Sequence, residues 1–247
     1  MYFYESLAAD YDTVVGAAAR AQAVEDFSEH LVSRHAVRSA LDVACGTGNY
    51  ALALAKRGVQ VTAADISPAM ITQARRRSHQ QDLHIDWLCA PMQQLTDVTA
   101  GPFDAVLCMG NSIPHLLTDD DLHRALQSFH QLLSPGGLAV VHLLNYRRIL
   151  ARRERIVGIT RSHDTQYVRF YDFLAENVRF NVLTIRWSGD KCSHDLHSTE
   201  LRPYLPDQLT QALEHADFTE IHQYGDLAFK PFDHDDSDVL LLTARRP

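Results

Sequence analysis

The stretch Ala40-Leu41-Asp42-Val43-Ala44-Cys45-Gly46-Thr47-Gly48-Asn49 decides the fold of this chain of 247 residues. Its apolar start is typical of a buried strand, and its two glycines predict a tight loop whose backbone can lie against a ligand. A helix predicted from Tyr50 to Arg57 aims its free N–H groups and the positive end of its dipole at that loop. We therefore expect a cofactor site where this strand, loop and helix meet.

Two kinds of cofactor compete for the loop. Gly46-x-Gly48-x-x-Ala51 fits the dinucleotide fingerprint, and an acid follows downstream at Asp65. Asp42, however, lies at the end of the strand, where its carboxylate would repel a pyrophosphate and accept hydrogen bonds from an ammonium group. The tail of an amino acid suits this position better. A glycine turn with no ligand is disfavoured by the second acid at Asp65.

Alternating strands and helices follow the loop. This βαβ alternation predicts an α/β fold with a doubly wound, mostly parallel, Rossmann-like sheet of seven strands. Ser67 and Thr118 are expected to cap the helices after the second and fourth strands, and Ser134-Pro135-Gly136-Gly137 is expected to end the second of these helices. The predicted strands of the sheet are 37–43, 59–64, 84–88, 103–109, 138–143, 218–224 and 239–244.

An antiparallel insertion is predicted after the fifth strand. Three segments alternate in polarity with a turn at Ser188-Gly189-Asp190-Lys191, and we expect them to cover the carboxyl ends of the parallel strands, where ligands bind in such sheets. The predicted insertion strands are 165–173, 177–185 and 194–201. We read one domain with four parts: an N-terminal helical lid (1–35), a cofactor-binding core (36–145), the insertion (146–204), and a C-terminal helix with a strand pair (205–247).

Composition narrows the class of protein. The net charge of −8 and the pI of about 5.9 disfavour a nucleic-acid partner, and the basic clusters Arg75-Arg76-Arg77 and 147–155 are expected on solvated helix faces. No apolar run reaches membrane-spanning length, and the first residues lack the features of a signal peptide, so we predict a cytoplasmic protein. Three of the four cysteines lie at predicted strand ends, so buried thiols are expected, and no metal site is expected. A homo-oligomer stays open.

Several motifs resemble those of known methyltransferases. Asp42-x-Ala44-Cys45-Gly46-x-Gly48-Asn49 resembles motif I of the class I S-adenosylmethionine-dependent methyltransferases. Four further motifs resemble those of glycine N-methyltransferase and its bacterial glycine/sarcosine relatives. These motifs are Gly110-Asn111-Ser112-x-x-His115-Leu116, Ser134-Pro135-Gly136-Gly137, Asn145-Tyr146-x-x-Ile149-Leu150 and Tyr224-Gly225-Asp226. The resemblance implies S-adenosyl-L-methionine as cofactor.

Roles for individual residues follow from this resemblance. Asp65 can accept both hydroxyls of the ribose. For Ile66, Met70 and Met92, the alternative to a cofactor contact is packing in the core. For Tyr11, the alternative is packing between helices. The residues implied to contact the cofactor are Tyr11, Asp42, Ala44, Cys45, Gly46, Gly48, Asp65, Ile66, Met70, Pro91, Met92 and Met109.

The loop after the fourth strand carries the candidate catalytic residues. Asn111 would orient the acceptor, because a polar amide at a strand end needs a partner. His115 is the candidate base by residue type and position, with capping of the next helix as the alternative, and Tyr11 would position the reactants. The residues expected to line the acceptor pocket are Asn111, His115, Tyr146, Arg202 and Tyr204.

One departure from the glycine enzymes concerns the acceptor. In those enzymes an arginine that grips the substrate carboxylate directly precedes the Asn-Tyr pair, and here Leu144 stands in that place. Arg147, Arg148 and Arg202 are candidates to substitute for it. We favour the other reading, in which the acceptor is not glycine.

The sequence thus predicts methyl transfer from S-adenosyl-L-methionine to the nitrogen or oxygen of a small molecule. The alternatives are a methyltransferase that acts on RNA or protein, a non-catalytic module that binds S-adenosylmethionine, and an NAD(P) oxidoreductase.

Overall fold

A computed structural model describes residues 2–247 of the chain. Within those residues it contains a seven-stranded sheet flanked by helices and a separate four-stranded sheet. The strands are β1 (Ser39–Val43), β2 (Gln60–Asp65), β3 (Asp86–Cys89), β4 (Phe103–Cys108), β5 (Leu133–Leu144), β6 (Ile156–Ser162), β7 (Thr165–Phe173), β8 (Val178–Ser188), β9 (Lys191–Leu201), β10 (Thr219–Tyr224) and β11 (Val239–Arg245). The helices are α1 (Tyr2–Leu7), α2 (Tyr11–Val14), α3 (Ala17–His35), α4 (Asn49–Ala55), α5 (Pro68–Gln80), α6 (Asp119–Leu132), α7 (Tyr146–Arg152) and α8 (Pro206–His215).

The large sheet has the strand order β3-β2-β1-β4-β5-β11-β10. Strands β1 to β5 pair in parallel, whereas β11 runs antiparallel to both β5 and β10. The predicted doubly wound fold is therefore confirmed. The strand order reverses between β1 and β4, and the carboxyl ends of the strands at such a point form the crevice in which these sheets bind ligands.

Two layers of apolar side chains hold helices against the faces of this sheet. One layer packs α6 and α8 against it through Leu126, Phe129 and Leu213. The other packs α3, α4 and α5 through residues such as Phe27 and Leu54. Since β1 and β4 contribute to both layers, the first strand of the sequence motif lies at the centre of the molecule.

The start of β5 differs from the prediction. Thr118 caps α6 as expected, since its Oγ1 accepts a hydrogen bond from the N–H of Asp121. The helix ends at Leu132, and Leu133 already pairs with Phe103 of β4. The residues 134–137 form an irregularity within an extended β5, because regular pairing resumes only at Leu138.

The insertion is a four-stranded antiparallel sheet in the order β6-β7-β8-β9. The expected turn joins β8 to β9, with Gly189 in a left-handed conformation. Strand β6 is missing from the prediction because Gly158 interrupts its apolar run, and a glycine weakens the signal of a strand interior.

The N-terminal residues form α1, α2 and α3. The spacing of Phe3, Tyr4, Leu7 and Tyr11 predicts one helical face, but the chain turns at 8–10 and Tyr11 begins a new helix. The predicted lid spans residues 1–35, and from here on we use the word lid for α1 and α2 alone. Phe3, Leu7 and Val14 of the lid share a buried cluster with Tyr167 and Val182, so the lid packs against the insertion sheet.

The prediction of buried cysteines is only partly right. Cys108, at the end of the central strand β4, is buried, but Cys89 and Cys192 are exposed because β3 and β9 are edge strands. All four thiols are free. In the described part of the chain, no helix is long and apolar enough to cross a membrane.

Candidate active site

The loop after β1 has the backbone shape that its glycines predict. Ala44, Gly46 and Gly48 have φ angles of 53°, 55° and 83°. At Gly48 a side chain is excluded twice, since a Cβ there would also lie 2.5 Å from the ring of Trp87. Cys45 donates its backbone N–H to the carbonyl of Ala64, which fixes the loop to the end of β2.

Two buried carboxylates flank this loop. Asp65 Oδ2 accepts the Gly46 N–H at 2.8 Å and Oδ1 accepts the Ser67 N–H at 2.9 Å, while burial raises the pKa of this carboxyl. Asp42 Oδ2 accepts the Ala51 N–H at 3.0 Å in the first turn of α4, and burial raises its pKa to about 7. The structure thus gives Asp42 a backbone partner as well as its place beneath the loop.

Two arginines of the cluster 75–77 make contacts within the chain instead of lying on a purely solvated face. Arg77 donates to the Thr47 carbonyl and to Asn49 Oδ1, both at 2.8 Å, so it braces the glycine loop from outside. Arg75 donates to the carbonyl of Trp87. The expectation of a solvated helix face is wrong for Arg77, because the end of its side chain reaches back to the loop, whereas Arg75 is exposed as expected although it also contacts β3.

The other residues predicted to contact the cofactor differ in exposure. Ile66, next to Asp65, is 45% exposed, whereas Met70 in α5 is fully buried, as core packing requires. Pro91 precedes a 3₁₀ turn that begins at Met92, whose half-buried side chain packs against the core. Met109 is buried at the end of β4.

The lid covers the loop and is held there by side chains. Tyr11 lies over Gly46, where a Cβ would be 3.7 Å from its ring, and burial raises the Tyr11 pKa to about 12. Ser67 Oγ donates to Glu5 at 2.8 Å. Thr47 Oγ1 donates to Asp12 at 2.7 Å. These contacts place the lid residues directly above the strand ends.

The loop after β4 carries Asn111 and His115. Asn111 has a φ of 70°, accepts the Leu144 N–H with Oδ1 at 3.1 Å, and donates with Nδ2 to the Tyr146 hydroxyl at 3.0 Å. The partner expected for this amide is thus supplied by the chain itself. His115 Nε2 lies 2.6 Å from the hydroxyl of Tyr4, and burial lowers the His115 pKa to about 4.

Arg202 and Tyr204 contact the backbone of the loop after β4, where the Arg202 N–H donates to the Pro114 carbonyl at 2.7 Å. The Tyr204 hydroxyl is buried and donates to the Leu116 carbonyl at 2.6 Å. Arg202 pairs with Asp119 at 2.8 Å, and its guanidinium lies 4.8 Å from the centre of the Tyr204 ring. The other two arginines named as substitutes also face elsewhere, since Arg148 pairs with Asp238 and Arg147 is exposed.

Three side chains near the site are not among the site residues that the sequence predicts. The Tyr4 hydroxyl contacts His115, and the phenols of Tyr171 and Tyr146 interact. The positive charge of Arg169 opposes the rise in pKa that burial causes in the phenols of Tyr11 and Tyr171. The alternation of β7 could have placed Arg169 and Tyr171 on one face. Which face of that strand meets the site is not visible in the sequence.

Known proteins resemble this chain in sequence and in fold. Residues 40–137 match a family model described as a methyltransferase domain. The chain is 35% identical over 148 residues to the glycine/sarcosine N-methyltransferase of Parasynechococcus marenigrum (strain WH8102), an alignment that covers 60% of this chain and 52% of that protein. It is 25% identical over 249 residues to the enzyme of the same name from Aphanothece halophytica, which covers 99% of this chain and 89% of that protein.

A solved structure has the same architecture throughout. The S-adenosylmethionine-dependent methyltransferase from Clostridium acetobutylicum ATCC 824 superposes with a TM-score of 0.84 over 98% of both chains. Its sequence identity is 19%, so this likeness concerns the fold.

Proposed function

Because the chain belongs to the class I S-adenosylmethionine-dependent methyltransferases, we propose that it methylates a nitrogen or oxygen of a small molecule other than glycine. A small acceptor is supported by the contact between Tyr4 of the lid and His115. His115 lies in the loop after β4, which we call the acceptor loop. The contact closes the lid over the strand ends, where RNA or a folded protein would need an open groove.

The residues of the glycine loop fit the cofactor. S-adenosyl-L-methionine would supply the methyl group on a sulfonium, from which the neutral thioether is an excellent leaving group. We propose that Asp65 accepts the ribose hydroxyls, since its carboxylate is fixed by two backbone N–H groups and retains lone pairs for them. The exposed Ile66 beside it would pack against the adenine. Asp42 and Gly46 would face the amino acid tail.

The protein's part in the reaction is to orient two reactants and to exclude water. The Tyr4 hydroxyl and the neutral His115 ring would position the attacking atom. With a pKa of about 4, the ring is too weak a base to hold the acceptor's proton at neutral pH. We therefore assign His115 a hydrogen-bonding role, so that an amine acceptor reacts in its unprotonated form.

The identity of the residue before Asn145 supports an acceptor other than glycine. Leu144 cannot pair with a carboxylate, and its N–H is already bonded to Asn111. Arg148 and Arg202 are paired with aspartates of the chain. None of these residues offers the carboxylate contact that the resemblance to the glycine enzymes implies.

The test is methyl-labelled S-adenosylmethionine incubated with the protein and a cell extract, which is then divided into small-molecule, RNA and protein fractions. Label in the small-molecule fraction is expected. Label confined to RNA or protein would contradict the proposal. Binding of S-adenosylmethionine without label in any fraction would instead indicate a non-catalytic binding module.

A further inference from the structure

Arg169 lies on the face of the insertion sheet that is turned toward the lid and the acceptor loop. It stands on β7 between Tyr167 and Tyr171, and side chains two positions apart share a face of a strand. Tyr167 is buried against the lid. Tyr171 is buried, and its phenol interacts with that of Tyr146, whose hydroxyl accepts a hydrogen bond from Asn111. Arg169 is therefore bracketed by two residues that touch the site.

The neighbouring strand leaves room for its guanidinium. Gly158 of β6 pairs with Arg169 in the register of the sheet. A Cβ at Gly158 would lie 2.6 Å from Nη2 of Arg169. The Gly158 backbone is not left-handed, so its conformation does not demand glycine. The absent side chain instead gives the guanidinium a place to lie.

The charge of Arg169 lacks a counterion among residues 2–247. It takes part in no ion pair there, and its buried Nε has no hydrogen-bond partner. Burial lowers the pKa of Arg169, and the positive charge of the nearby Arg20 lowers it further. Arg169 is half-buried, and a partly desolvated cation without an anion is costly. Such a residue is expected where a ligand supplies the negative charge.

We propose that Arg169 binds a carboxylate, or another anionic group, of the methyl acceptor. This inference rests on the proposed methylation of a small molecule. The planar guanidinium suits bidentate pairing with such an anion. The link from Tyr171 through Tyr146 to Asn111 connects Arg169 to the acceptor loop, and this favours the acceptor over the cofactor's own carboxylate as the source of the anion. Because Arg169 lies on β7 and not directly before Asn145, the anion that it binds would belong to an acceptor with a geometry different from that of glycine.

The first experiment identifies the acceptor and measures its binding. Mass spectrometry of the small molecule labelled in the extract is expected to show an anionic group. With that purified acceptor, Arg169→Gln is expected to raise KM about 30-fold or more, because loss of one partner from a buried charge pair is costly. Calorimetric titration with S-adenosylhomocysteine should give an unchanged Kd. Arg161→Gln, an exposed arginine on the adjacent strand, is the matched control and should behave as wild type.

A second pair of variants separates ligand binding from a structural role. Arg169→Met removes an unpaired charge and is expected to keep or raise Tm, whereas a structural arginine would lower it. Gly158→Ala retains the charge but fills the space of the guanidinium, so it should raise the acceptor KM without changing the Kd of S-adenosylhomocysteine.

The outcomes distinguish this inference from the proposed function. A labelled acceptor that is neutral or cationic, or an Arg169→Gln variant with wild-type acceptor KM, overturns the role of Arg169 and leaves the methyltransfer intact. A weakened Kd for S-adenosylhomocysteine in Arg169→Gln assigns the arginine to the cofactor's carboxylate and also overturns it. If no small molecule becomes labelled, the proposed function is overturned, and the inference about Arg169 is overturned with it.

Discussion

At the scale of single residues, the site depends on polar groups whose partners are fixed before any ligand binds. Asp65 is held by the N–H groups of Gly46 and Ser67, and the Asn111 amide is held by Leu144 and Tyr146. A carboxylate or amide fixed in this way loses little conformational freedom when a ligand arrives.

Replacing Asp65 with alanine tests its assignment to the ribose. We expect Asp65→Ala to weaken S-adenosylmethionine binding about 100-fold, since hydrogen bonds to a charged group contribute about 1.5–3 kcal/mol each. Isothermal titration calorimetry measures the change. Asp86→Ala, an exposed carboxylate on the edge strand β3, is the control. An unchanged Kd in Asp65→Ala would remove Asp65 from the cofactor site.

Replacing His115 and Tyr4 tests the contact between the lid and the acceptor loop. We expect His115→Ala to lower kcat about 10-fold to 100-fold and Tyr4→Phe to lower it less, because the phenylalanine keeps the ring but loses the hydroxyl. Steady-state kinetics and a cofactor titration separate turnover from binding, and the exposed His79→Ala serves as control. Equal losses in turnover and cofactor affinity would speak against a role for His115 in acceptor positioning.

At the scale of elements, the loop between β1 and α4 is locked by its packing as well as by its backbone. Trp87 of β3 lies where a side chain at Gly48 would have to go. Arg77 of α5 donates to the carbonyl of Thr47. Two elements distant in sequence, β3 and α5, thus fix a loop whose local residues permit many conformations.

Two glycine variants separate backbone strain from packing. Gly189, in the turn between β8 and β9, has a φ of 61° and open space at its Cβ position. We expect Gly189→Ala to cost about 1 kcal/mol through left-handed strain alone. Gly48→Ala should cost about 3 kcal/mol or more, because overpacking against Trp87 adds to that strain. Chemical denaturation measures both, and equal costs would show that Trp87 yields to the new methyl group.

At the scale of the whole molecule, buried titratable groups couple stability to pH. Burial lowers the pKa values of His115 and His142 to about 4, from an ordinary value of 6.5. Between these values the unfolded chain binds protons that the folded chain does not, so stability falls as the pH drops through this window. Asp42, whose pKa is raised to about 7, acts in the opposite direction over the same range.

His142 provides a test of this coupling outside the proposed acceptor contacts. On going from pH 7 to pH 5, His142→Gln is expected to lose about 2 kcal/mol less unfolding free energy than wild type, because it lacks the titrating ring. Denaturant unfolding at the two pH values gives the difference. His79→Gln should follow the wild type. If His142→Gln also follows it, the His142 ring is not desolvated in the folded protein.

The sequence by itself determined the parallel sheet, the glycine loop and the two acids beneath it. These features depend on local periodicity and on the few residues that a strand, a turn and a helix start require, and those signals lie within short windows. The insertion strand Thr165–Phe173 and the helix Pro206–His215 were predictable at their observed bounds for the same reason.

Only the tertiary structure decided which side chains meet in the site. Tyr4 and His115 are 111 positions apart, and the chain reverses between the helices that carry Tyr4 and Tyr11. Likewise, the sequence showed Arg169 on a strand but not the face of that strand that is turned toward the lid. Such contacts depend on how separate elements pack on one another. Local periodicity shows which side chains share a face of a helix or strand, but it does not show which other element packs against that face.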